Sequence, residues 1–269
     1  MSLLVALLAT WILTCAVVVS GGHGVRLAER ARPPRFSLDA LACWAREVAA
    51  HALIVPIKPL GWLAAPPPRT GTQRPVLLVP GFFMNRSCWV FLATWLRRRG
   101  WDRVHAINNR PFNGRIDLFA HNLGLEVRRL REATGAERID IVGHSMGGMV
   151  AAHWILHQGG DRYVNRLVTL GTPLEGSKMA VFSFLREGHD LLPDSEIVRG
   201  MGPLPCESVH IWSDQDHLVV PAESAHPSWA ATTWELAWMG HLEMLTNLRA
   251  FRAVGEALRK PSPQLEGEE

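Results

Sequence analysis

Tyrosine is almost missing: the 269-residue chain has one, against eleven Trp and nine Phe. Trp favours boundaries with one apolar and one wet side, so this ratio points towards a membrane surface. Cysteine is sparse too. Cys15, Cys43, Cys88 and Cys206 lie far apart without a C-x-x-C pair, and they outline neither a zinc site nor a disulfide framework. A charge excess is also lacking, since 28 Lys and Arg face 25 Asp and Glu, and no basic run interleaves with aromatics. A nucleic-acid groove needs such a run, so no nucleic-acid partner is expected. No internal repeat or low-complexity tract breaks the chain.

Apolar residues make up 48% of the sequence, enough for one domain of conventional size with residues to spare. Leu3 to Val19 carries no charge, and Ser20, Gly21 and Gly22 extend the stretch to about the 20 residues that span hydrocarbon. Residues 1–22 therefore read as a transmembrane anchor, with a cleaved signal peptide as the rival. The absence of a positive n-region before Arg26 favours the anchor. Arg26, Arg30, Arg32 and Arg35 follow the span, so the positive-inside rule would leave the remainder in the cytoplasm; a cleaved signal would make it secreted or periplasmic.

Residues 23–69 read as a juxtamembrane segment. Leu38, Leu41, Ala45, Val48, Ala52 and Val55 recur at helical spacing with Asp39, Arg46, Glu47 and His51 between them, predicting an amphipathic helix that starts near Ser37. Its apolar stripe would lie in the lipid interface or pack on the following domain. Pro56 and Pro59 end it, and Pro66, Pro67 and Pro68 make a stiff linker up to a boundary near Thr70. Residues 70–260 form the main domain and residues 261–269 an acidic tail.

In the main domain, short aliphatic runs at 76–79, 104–107, 139–142, 167–170 and 209–212 alternate with helical stretches at 89–99, 118–134 and 146–157, and a last helix follows His241. Such alternation predicts an α/β fold with a mostly parallel sheet of about six strands and helices on both faces. The run Ile139-Asp140-Ile141-Val142 enters Gly143-His144-Ser145-Met146-Gly147 and then a helix, which is G-x-S-x-G in strand–turn–helix context. A Ser on so sharp a turn needs small flanking residues, and its hydroxyl then projects above the sheet beside the free amides of the helix start.

A nucleophilic Ser needs a base, and the base an orienting acid. Ser213-Asp214-Gln215-Asp216 follows one strand and Trp238-Met239-Gly240-His241 another, so carboxylates and an imidazole arrive at the same edge of the sheet. The residues alone leave Asp214 and Asp216 both open as the acid. His144 precedes the nucleophile and reads as structural.

From Val76 to about Arg249 the chain resembles the small bacterial triacylglycerol lipases and esterases of the α/β-hydrolase superfamily. That resemblance implies Asp216 as the acid, because the pattern of small residues, Asp and an aliphatic pair falls on Ser213-Asp214-Gln215-Asp216-His217-Leu218-Val219, and Gly-His falls on Gly240-His241. The stretch Leu170-Gly171-Thr172-Pro173-Leu174-Glu175-Gly176-Ser177 resembles the segment after the sixth strand of those lipases. An oxyanion hole from the amides of Met146 and Phe82 is implied as well, with Pro80 standing where relatives carry His.

Phe83, Met84, Leu218 and Val219 are candidates for an apolar acyl wall, and residues 178–201 for a lid or a core-packing segment. The expected activity is hydrolysis of carboxylic esters of lipid character through a Ser145–His241–Asp216 triad and an acyl-enzyme. A thioesterase or acyltransferase with the same triad, and a membrane-bound scaffold without catalysis, remain as alternatives. No cofactor and no metal are expected.

Overall fold

The computed structural model describes residues 3–29, 37–64, 66–69, 71 and 73–259. Arg30, Arg32, Arg35, Thr70 and the tail expected at 261–269 lie outside the described residues.

Six strands form one parallel sheet in the order β2-β1-β3-β4-β5-β6, with β1 at Val76–Val79, β2 at Val104–Ala106, β3 at Ile139–His144, β4 at Val164–Leu170, β5 at Glu207–Trp212 and β6 at Thr233–Glu235. The central strands β1 and β3 are buried along their whole length, as expected where helices cover both faces. Side chains alternate between two cores. Val76 and Leu78 join Trp89, Leu92 and Leu96 on one face, and Leu77 and Val79 join Phe119, Leu123 and Met149 on the other. The first core takes α3 (Val90–Arg98) and α8 (Leu248–Arg259), the second α4 (Ile116–Thr134) and α5 (Met146–His157). Two four-residue helices, α6 (Arg186–His189) and α7 (Glu196–Arg199), follow β4.

Two helices precede the sheet. α1 (Leu3–Ala28) runs well over a turn past the expected end at Gly22, and α2 (Leu38–Ile54) starts at a Ser37 cap that accepts from Ala40 N. They lie antiparallel: Trp11 Nε1 donates to Ala52 O, and Trp44 Nε1 donates to Ser20 Oγ. Cys15 and Val19 pack on Val48.

The buried face of α2 differs from the expected stripe. Leu38 and Leu41 are 85% and 60% exposed, and Cys43, Glu47, Val48, Ala50, His51 and Ile54 are buried. Both faces repeat at helical spacing, so periodicity identifies the helix without saying which face turns inward. Polar partners decide it here. Ala50 and Ile54 belong to the α3/α8 core, so the inward face of α2 packs beside the sheet. Arg26, counted above as a flanking charge, is 7% exposed and donates from Nη1 to Asp214 O at 2.8 Å.

Candidate active site

Ser145 sits where β3 turns into α5, at φ 53° and ψ −129°, a strained backbone for a residue with a side chain. Its N–H donates to Leu170 O at 2.8 Å, fixing the turn to the end of β4. The flanking glycines are required: a Cβ on Gly143 would lie 2.5 Å from Gly148 Cα, and one on Gly147 2.2 Å from Val79 O.

The loop after β5 brings Asp216, 1% exposed, to His241, 3% exposed, with His241 Nδ1 and Asp216 Oδ2 2.6 Å apart. The other oxygen, Oδ1, accepts from Leu218 N and Val219 N, each at 2.9 Å. Burial pushes the Asp216 carboxyl up, but the adjoining imidazole outweighs this and holds it below its ordinary value. Burial likewise lowers His241, and the Asp216 charge and hydrogen bond more than reverse it, so His241 titrates above 6.5. Asp214 faces elsewhere: its Oδ1 accepts from Trp238 N at 3.3 Å, on the loop leading to His241.

Two contacts bring the Ser145 turn close to this pair. His144 lies with its ring centroid 4.6 Å from that of His241, and its Nε2 is 3.1 Å from His241 O. A Cβ on Gly171, one residue past Leu170, would fall 2.9 Å from Asp216 Oδ2 and 3.2 Å from His241 Nδ1. The Ser145 hydroxyl itself makes no hydrogen bond among the described residues, and catalytic links of this kind often tighten only with substrate bound.

Gly81 packs on the nucleophile turn; a Cβ there would lie 2.9 Å from Ser145 Cβ. The amides of the next residue, Phe82, and of Met146 donate to no acceptor among the described residues. Beside them lies a cavity of about 340 Å³ whose lining includes Phe83, Met84, Phe119 and Met146 together with Asn109 and Glu187. Leu218 and Val219 are absent from that lining, and their amides hold the Asp216 carboxylate instead. Glu187, unremarked in the sequence, is 3% exposed with Oε2 unpartnered, and burial raises its carboxyl above the ordinary value. The 178–201 segment exposes Val181, Phe182 and Phe184 close by; a Cβ on Gly188 within it would touch the Phe82 ring at 3.4 Å.

The loop bearing His241 is clamped from α2, which sequence reasoning missed. Glu47, fully buried, accepts from Leu242 N at 2.9 Å on Oε1 and from Glu243 N at 2.8 Å on Oε2. Arg46 donates to Glu243 Oε1 and to Trp238 O, both at 2.6 Å. In the sequence both are polar spacers between apolar positions of a helix, and no local signal sets them apart.

Residues 76–264 match the family described as "Alpha/beta hydrolase family", which is more than half of the chain. A 67-residue stretch is 34% identical to phospholipase A(1) LCAT3 of Arabidopsis thaliana, covering 24% of this chain and only 15% of that protein. Among solved structures, the mature Bacillus licheniformis lipase BlEst2 superposes with a TM-score of 0.58 at 15% identity, over 72% of this chain and 95% of that one. Aspergillus fumigatus lipase B gives 0.59 at 14% identity, over 71% of this chain and about half of its own, 54%. At such identities the superpositions speak for the fold.

Proposed function

Since the chain belongs to the alpha/beta hydrolase family, we propose that it is a serine hydrolase of carboxylic esters with Ser145 as nucleophile, His241 as base and Asp216 as orienting acid. The observation that carries this reading is the 2.6 Å contact between His241 Nδ1 and Asp216 Oδ2 beside a serine in a strained turn. His241 takes the Ser145 proton as Oγ adds to the ester carbonyl. Asp216 holds the proton on Nδ1 and balances the imidazolium charge. The oxygen of the tetrahedral intermediate faces the free amides of Phe82 and Met146; losing one such donor costs about 2.7–4 kcal/mol. The alcohol leaves with the His241 proton, and water then releases the acid from the acyl-enzyme.

A lipid-like acyl chain suits the apolar part of the cavity and its surroundings. Trp62, Leu63, Phe83 and Phe112 are 69%, 65%, 53% and 72% exposed, and Trp62, Phe83 and Phe112 line the cavity. Membrane attachment through α1 belongs to the same reading. Val5–Ala28 is long and apolar enough to cross a bilayer, a test that signal sequences also pass. Retention is favoured by the contacts of its second half, where Arg26 reaches the loop of the catalytic acid. Because α1 runs antiparallel to α2, its exposed first half emerges at the end of α2 that leads, through Lys58–Trp62, into the cavity lining.

A serine-reactive fluorophosphonate probe tests the assignment. Wild type should label and Ser145→Ala should not; an unlabelled wild type would favour a non-catalytic scaffold. p-Nitrophenyl esters of increasing acyl length would then rank substrates, with rates rising towards medium and long chains. Carbonate extraction should leave the full chain in the membrane pellet, and its release to the supernatant would contradict the anchor.

A further inference from the structure

Behind the triad, three segments converge on a sealed polar cluster. Glu47 and His51 stand one helical turn apart on the inward face of α2, and His217 follows Asp216 on the loop after β5. Each offers a nitrogen or oxygen atom, and these atoms all lie within 4.8 Å of one another. Glu47 Oε1 is central, 3.3 Å from His51 Nδ1 and 3.6 Å from His217 Nδ1. The second distance is too long for a hydrogen bond.

His217 is the unexplained member. It is fully buried, and neither of its ring nitrogens has a hydrogen-bond partner. Burial lowers its pKa far below the ordinary range, so the ring is neutral. A neutral imidazole carries one N–H and one lone pair, and nothing among the described residues engages either. Buried polar groups are nearly always satisfied, and an orphaned imidazole beside a carboxylate and a second imidazole calls for a ligand. The packing around it is tight: a Cβ on Gly22 of α1 would fall 2.5 Å from His217 Cδ2, and one on Gly240 2.1 Å from Glu47 Oε2.

We propose that Glu47, His51 and His217 form a divalent-metal site, best suited to zinc, that ties α2 to the loop bearing the catalytic acid. Two neutral imidazoles and one carboxylate are a zinc donor set. Bonds of about 2.0–2.1 Å in a tetrahedron place neighbouring donors roughly 3.4 Å apart, between the two distances from Glu47 Oε1; a metal on His51 Nδ1 replaces the 3.0 Å contact that this nitrogen makes with Glu47 O. Calcium and magnesium are disfavoured, since both want mostly oxygen ligands and the cluster offers one carboxylate already engaged with two amides. His23 of α1, with its ring centroid 5.2 Å from that of His217, is the nearest further imidazole. The cluster lies outside the substrate cavity, so the metal is structural. It would fix the position of Asp216 through its neighbour and of His241 through Glu47. The Glu47 amide contacts at Leu242 and Glu243 then act as the outer support that metal ligands commonly have.

The inference stands apart from the hydrolase reading, because its test reads metal and not turnover. Full-length protein is purified in detergent, incubated with zinc, freed of loose metal by gel filtration and measured by elemental mass spectrometry. Wild type should retain one zinc per chain, and its melting temperature should rise with zinc. His51→Ala and Glu47→Gln should each hold zinc at least about tenfold more weakly and lose the thermal shift. If the variants do not fold, X-ray absorption on the wild-type zinc complex decides: a nitrogen/oxygen shell with imidazole scattering supports the site, and a shell without imidazole overturns it. Wild type that retains no zinc, or folded variants that retain it undiminished, would also overturn it, leaving buried water as the partner of His217.

Discussion

Replacing Asp216 by Asn should preserve the fold and lower kcat by about 10⁴-fold, or about 5.4 kcal/mol of transition-state stabilisation. The magnitude follows from how the two carboxylate oxygens are divided. Oδ1 accepts from the amides of Leu218 and Val219, and Oδ2 faces His241 Nδ1. An asparagine must place its carbonyl oxygen on the two amides. The flipped rotamer would forfeit both hydrogen bonds and set donor against donor, at about 1–3 kcal/mol for each group left unsatisfied. The Asn amino group therefore points at Nδ1 and donates to it. Nδ1 becomes an acceptor, the imidazole proton moves to Nε2, and Nε2 can no longer take the proton of Ser145.

Stopped-flow or steady-state hydrolysis of a p-nitrophenyl ester measures the loss, and far- and near-UV circular dichroism checks the fold. Asp214→Asn is the control. Its contact with Trp238 N is one that an Asn oxygen still accepts, so its rate should stay near wild type. A native-like Asp216→Asn within tenfold of wild type would refute the reasoning, and a collapse in Asp214→Asn instead would move the acid by two residues.

The acid limb of kcat/KM should lie above 6.5, because Asp216 raises His241 and the base works only when deprotonated; activity therefore rises with pH through that limb, and a midpoint below 6.5 would contradict it. The same shift has a stability sign: its contribution is fully present below the unfolded value near 6.5 and lost as pH rises through the folded one. Gly171→Ala forces a methyl against the Asp216–His241 pair at a residue with φ 52°, and should cut kcat by about 10²-fold while ester KM stays within a few-fold. Glu47→Ala strands the amides of Leu242 and Glu243, and should lower stability by about 2–5 kcal/mol, read by urea denaturation. A chain beginning after α2 should be inactive for the same reason, whereas one beginning at Ser37 keeps the clamp.

The Ser145 turn was legible because everything that makes it is contiguous: β-branched strand, small residues at Gly143 and Gly147, helix start. The meeting of Asp216 and His241 was legible because parallel strands deliver their C-terminal ends to one edge. Choosing Asp216 over Asp214 needed the family resemblance, since both sit on one loop and only the fold of residues 213–219 decides which faces His241. Leu218 and Val219 read as apolar wall by side-chain type; their function lies in their amides, which side-chain type does not report. Glu47 was out of reach for a different reason. Its partners lie 195 and 196 residues away, and a carboxylate within a helical repeat looks like solvent-facing relief until the tertiary contact exists.

That same separation orders events during synthesis. The helix that braces the histidine loop leaves the ribosome well before the loop it braces, which follows 195 residues behind Glu47. Nascent chains, however much of the sheet they have built, lack a positioned base. On the proposed reading, a nascent chain acquires its triad only once residues 238–243 have been made and have docked on Glu47.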